Sequence, residues 1–157
     1  AEPVDVIVAA NTDERPFAQI ERAVNAAFAA IEADRPPALL APNPDLLFPR
    51  RPGEFGVTAG ALALVIEAAI ASRYPQLGLR FERLGKPYRP IFEEAVRRAG
   101  TRDLVLVGDQ LETDVRGANA FGIASALVGT GVARIDDDAS LGSERPSYRL
   151  RPFGSDE

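Results

Sequence analysis

Short aliphatic runs that alternate with helical stretches constrain this chain more than any other feature. Residues 4–10, 38–41, 104–107 and 124–128 are apolar and short, which reads as buried strand. Between them the apolar spacing turns helical. Phe17, Ile20, Val24, Phe28 and Ile31 line one face of a helix predicted over residues 16–34. Ile91, Phe92, Ala95 and Val96 do the same over residues 90–99. Further helices are predicted over 59–72 and 113–121. Pro16 and Pro90 suit first helical positions, and Gly100 and Gly122 suit helix ends. Strands that alternate with helices imply βαβ units and a mostly parallel sheet. The expected fold class is therefore α/β, with a Rossmann-like parallel sheet.

Residues 42–58, rich in Pro and Gly, read as a long loop, and a domain seam is expected between Pro42 and Gly85. Residues 81–84 read as extended, 134–147 as a polar, acidic loop, and 148–150 as a last short strand.

Composition removes several chemistries. With no cysteine and no histidine, the chain has no thiolate nucleophile, imidazole base, disulfide or Cys/His zinc site. Any metal must be held by oxygen, which favours magnesium, manganese or calcium. A net charge of −5 argues against nucleic acid as a partner. No apolar run is long enough to cross a bilayer, and no signal-peptide pattern is visible, so the expectation is no membrane partner and a cytoplasmic location. The chain opens at Ala1 without methionine, which fits either methionine removal or a piece of a longer polypeptide.

The strongest chemical signal is Leu104-Val105-Leu106-Val107-Gly108-Asp109-Gln110-Leu111-Glu112-Thr113-Asp114. A buried strand delivers Asp109 at its carboxyl end, where open α/β sheets bind ligands. Gly108 allows close approach of a ligand or another backbone. Asp114 falls at the start of the next helix and reads equally as a cap or as a site residue. Two carboxylates across such a turn can reach one crevice, and their like charges call for a cation or a proton between them. Lys86, in the turn Gly85-Lys86-Pro87, is the only lysine in a chain whose other basic side chains are arginines. An ammonium held there can face both carboxylates and a phosphoryl oxygen. Asn43-Pro44-Asp45, taken alone, is a turn.

Together these segments resemble the haloacid dehalogenase (HAD) superfamily, in its branch with a large α/β cap, typified by p-nitrophenyl phosphatases and phosphoglycolate phosphatases. The resemblance runs in order through Asn43-Pro44-Asp45, the helix start at 58–67, Gly85-Lys86-Pro87, Gly108 to Asp114, and Thr130-Gly131-Val132. It implies a cap remnant and linker over residues 1–58 and the C-terminal part of the core over 59–157. It also implies a magnesium-dependent (Mg2+) phosphatase acting on a small phosphorylated metabolite. Lys86 would steady nucleophile and phosphate, Asp109 would be a metal ligand, and Asp114 would assist at the metal through water or by positioning. Asn43 and Asp45 would lie near the substrate entrance.

The family's nucleophile motif, Asp-x-Asp-Gly, does not occur in these 157 residues, and Asp136-Asp137-Asp138 follows no strand. The chain alone is therefore expected to be inactive and to expose a sheet edge. It would pair with a missing N-terminal segment or with its own copy. The alternative is a non-catalytic HAD-derived binding or regulatory fragment.

Overall fold

A computed structural model describes residues 2–10, 16–51, 53–129 and 142–151. The chain forms two compact units, Ala1–Gly85 and Lys86–Glu157.

The first unit runs β1 (Val6–Val8), α1 (Pro16–Glu32), β2 (Ala38–Ala41), β3 (Leu47–Arg51), β4 (Glu54–Val57), α2 (Ala59–Arg73) and β5 (Glu82–Arg83). Strands β1, β2 and β5 form a parallel sheet in that order. Ile7, Leu39 and Ala41 point into a core closed by Ala27 of α1, by Ala63, Ile66 and Ile70 of α2, and by Phe81. Buried Glu67 of α2 accepts the Phe81 amide at 2.6 Å, which ties the approach to β5 to the helix.

Residues 42–58, expected as a loop, contain the antiparallel hairpin β3–β4, with Leu47 opposite Val57 and Phe48 opposite Gly56. Phe48 lies over Gly56, where a Cβ would collide with its ring. The first unit extends to Gly85, because α2 packs on the first sheet and on α1.

The second unit runs α3 (Arg89–Ala99), β6 (Val105–Gly108), a wide helical turn (Leu111–Val115), α4 (Arg116–Phe121), β7 (Ala124–Val128) and β8 (Tyr148–Leu150). Its parallel sheet has the order β6-β7-β8. Phe92, Ala118, Phe121 and Ile123 form its core, with Leu104, Leu106 and Val96 packed against them. The rings of Phe92 and Phe121 stack at 5.4 Å. Gly100 and Gly122 end their helices at φ 69° and 83°, a region only glycine enters without strain.

Buried Ser125 bonds through its hydroxyl to Asn119 at 3.1 Å. The Asn119 amide in turn donates to the carbonyls of Ser143 and Arg145, fixing the approach to β8.

In the two parallel sheets the alternation of side chains leaves one row of the edge strands β1 and β6 half exposed, while Ala126 and Val128 of the central strand β7 are buried. In the first, Val6 and Val8 are about half exposed, at 48% and 54%. In the second, Val105 and Val107 are 50% and 51% exposed. Register places them on one face with Ala124 and Ala126, and through Ala126 and Val128 with Tyr148 and Leu150. Parallel sheets are ordinarily covered on both faces. Among the described residues β6 also pairs on one side only, and such an edge is a template for another strand. The 157-residue chain is therefore expected to self-associate with concentration in light scattering. Lysines at positions 105 and 107 should suppress this. A strictly monomeric wild type over a wide concentration range would contradict it.

Candidate functional site at the end of strand β6

At the carboxyl end of β6 the chain enters a turn wider than an α-helix. The amides of Asp114 and Val115 both donate to the Gln110 carbonyl, at 3.1 and 3.2 Å. This turn carries the Asp114 side chain back to the strand end. Its Oδ2 accepts the backbone amides of Asp109 and Gln110, each at 3.1 Å. Its Oδ1 accepts the Lys86 ammonium. The Asp114 side chain is 2% exposed and that of Lys86 36%. A carboxylate has about four lone-pair directions, so three donors leave Asp114 close to saturated.

Two glycines make this geometry possible. A Cβ on Gly108 would overlap the Asp114 carboxyl group, so the close approach predicted at Gly108 is made by a side chain of the same unit. A Cβ on Gly117 would stand 2.8 Å from the Phe92 ring and 2.9 Å from Cα of Pro87. The first turn of α4 thus lies directly against the segment that carries Lys86. Gly117 was not singled out from the sequence. A glycine inside a short helix was the available signal, since it costs helix stability unless something packs on it.

Asp109 is different. It is half-buried, and its carboxylate makes no hydrogen bond or ion pair among the described residues. The adjacent Gln110 side chain accepts the Thr113 hydroxyl at 3.1 Å.

The structure brings Lys86, Asp109 and Asp114 together in the second unit. Asn43 and Asp45 lie in the first. The Asn43 amide donates to the Thr58 hydroxyl at 3.2 Å and its oxygen accepts the Asp45 amide at 3.1 Å. The Asp45 carbonyl accepts the amide of Gly60 at 3.0 Å, at the start of α2. Asn43 therefore spends both ends of its side chain on closing the loop around the hairpin.

A Rossmann-like parallel sheet with an acidic strand end and a fixed ammonium defines a class, and comparison with known proteins narrows it. Residues 83–152 match the HAD-hydrolase-like family model. This segment of the chain is similar to the HAD hydrolases.

The chain is 38% identical over 84 residues to the D-glycerol 3-phosphate phosphatase of Mycobacterium tuberculosis, covering 54% of this chain and 22% of that protein. It is 29% identical over 112 residues to the dihydroxyacetone phosphatase of Corynebacterium glutamicum, covering 70% and 35%. The crystal structure of the Mycobacterium tuberculosis glycerol phosphate phosphatase in complex with magnesium superposes with a TM-score of 0.69 at 27% identity. That superposition spans 94% of this chain and 41% of the other. The p-nitrophenyl phosphatase of Archaeoglobus fulgidus shares the fold, with a TM-score of 0.70 at 24% identity over 94% and 53%. The chain thus spans about half or less of each of these relatives.

Proposed function

We propose that this chain is the C-terminal part of a magnesium-dependent phosphatase that hydrolyses a small phosphorylated metabolite, supplying Lys86 and Asp109 to the active site. The observation that carries this is the joint anchoring of the Lys86 ammonium and the Asp109 backbone on one buried carboxylate at a strand end. The similarity to phosphatases named for glycerol phosphate and dihydroxyacetone supports a short, polar, three-carbon phosphate ester as substrate. A cytoplasmic location and assembly with a segment that bears Asp-x-Asp-Gly belong to the same proposal.

The residues present fit magnesium as partial donors. All candidate ligands are carboxylate oxygens, the Asp109 carboxylate is unengaged, and no cluster of three such ligands occurs among the described residues. Asp109 would hold the ion with water, substrate and groups from the assembling segment filling its other positions. When bound, magnesium would offset the negative charge of the phosphoryl oxygens. Lys86 would add a second positive charge at a fixed place, and a fixed charge needs no reorganisation as charge shifts during reaction. The Asp114 carboxylate keeps that ammonium from swinging into solvent.

The absence of Asp-x-Asp-Gly from these residues is what favours a non-catalytic binding fragment as the second reading. Activity separates the two. The chain alone should not hydrolyse p-nitrophenyl phosphate. Joined to an Asp-x-Asp-Gly segment of its own polypeptide it should do so with magnesium, and Lys86→Ala or Asp109→Asn should each lower kcat by about 100-fold or more. Unchanged kcat in both variants, or strong turnover by the 157-residue chain alone, would refute the proposal.

A further inference from the structure

We propose that β8 is a strap that opens independently of the rest of the second unit, and that Asn119 is the latch that keeps it shut. The proposal does not depend on the phosphatase reading.

β8 has few side chains that a core could hold. Tyr148 and Leu150 are 57% and 37% exposed, Arg149 is exposed, and none of the three joins the core of Phe92, Ala118, Phe121 and Ile123. Its neighbour β7 is the reverse, buried from Ser125 to Val128. Apolar burial therefore contributes little to β8, and an element without it sits at the low end of local stability. Its holds are polar ones. The ladder to β7 is continued by the Gly129 amide, which donates to the Leu150 carbonyl at 3.3 Å. A polar cluster just ahead of the strand does the rest, with Asn119 at its hub. The carbonyls of Ser143 and Arg145 can only accept, so they face the Asn119 amide nitrogen, at 2.8 and 2.9 Å. The Asn119 oxygen is then left for the Ser125 hydroxyl at 3.1 Å. Ser125 and Ser147 add a reciprocal pair, each amide donating to the other's hydroxyl oxygen, at 3.2 and 3.4 Å. Arg116 adds an ion pair to Glu144 at 3.8 Å. These bonds join α4 and β7 to residues 143–147, and none of them reaches β6 or α3. Releasing them frees β8 and leaves the core of the unit packed. The edge of β7 uncovered in this way is a template for another strand.

Hydrogen exchange read amide by amide tests this. In the wild-type chain the amides of Ser147 and Gly129 should exchange about tenfold or more faster than those of Gly122 and Ile123, which are bonded to Ala118 inside the unit. Equal rates would overturn the proposal without any variant having to fold. Asn119→Asp keeps the shape but turns an acceptor towards two carbonyls, so it should quicken Ser147 and Gly129 about tenfold or more. Ser125→Ala should quicken them about fivefold, the scale of one hydrogen bond. Phe92→Leu provides the contrast. It weakens a core that strap opening leaves intact, so it should quicken Gly122 and Ile123 and leave Ser147 and Gly129 unchanged. Trypsin gives a second reading, because the Arg149–Leu150 bond lies inside β8 while Arg145 and Arg151 each precede proline. Cleavage at that bond should be faster in Asn119→Asp than in the wild type by a similar factor. Unchanged exchange and cleavage in Asn119→Asp, or strap amides that respond to Phe92→Leu as the core does, would sink the assignment.

Discussion

Replacing Gly108 with alanine is expected to cost the second unit about 1–3 kcal/mol, the usual range for forcing an extra carbon into a packed place, and to free Lys86. Backbone strain is not the cause. Gly108 lies in an ordinary strand, and what it lacks is volume. An added Cβ would occupy the space of the Asp114 carboxyl group. That group cannot retreat without breaking bonds, because it is tied forward to Lys86 and back to the amides of Asp109 and Gln110. The steric insult therefore becomes an electrostatic one. For a domain of 60–100 residues each kcal/mol shifts the midpoint by about 4–8 °C, which calorimetry resolves. Lys86 acylation should rise in the same variant. An alanine variant with an unchanged midpoint and a protected lysine would show that the carboxylate sidesteps the methyl group.

The second large effect should follow from Phe92→Ala, at about 3–5 kcal/mol. Phe92 is 3% exposed, stacks on Phe121 and meets the surface of Gly117. Its removal empties the middle of a small core. A small unit with an unpaired sheet edge is expected at the low end of ordinary stability, roughly 0.05 kcal/mol per residue, which leaves next to nothing beyond that loss. The expected outcome is a second unit largely unfolded at room temperature, read as collapse of its amide dispersion in NMR. Phe92→Leu should retain much of the structure. Full retention of dispersion in the alanine variant would mean that α3 and α4 close over the gap.

Much of this was legible because aliphatic runs have few options. The strands at 38–41, 124–128 and 148–150 form where they were read, and Gly100 and Gly122 cap their helices. The α/β class followed from that alternation. The hairpin of β3 and β4 was not legible. Pro49 and Gly56 lower strand propensity, and the pairing is fixed by partners across the turn that no local window contains. The site was half legible. Lys86, Asp109 and Asp114 were identified by residue type and spacing, and the structure gathers them. Spacing could not say that a wide turn sends Asp114 back towards β6, because two amides sharing the Gln110 carbonyl is a property of the packed turn. Asn43 shows the opposite limit. Its amide looks available in the sequence and is consumed by Thr58 and Asp45 in the fold.

The valines that remain wet on one side of each sheet also shape how the chain melts. Side chains already in contact with water before unfolding add no fresh hydration when the chain opens. The heat-capacity increment and the steepness of the urea transition both scale with newly exposed surface. Both should therefore fall below what 157 residues would suggest, giving a broad, shallow transition from a chain whose strands are nonetheless well formed.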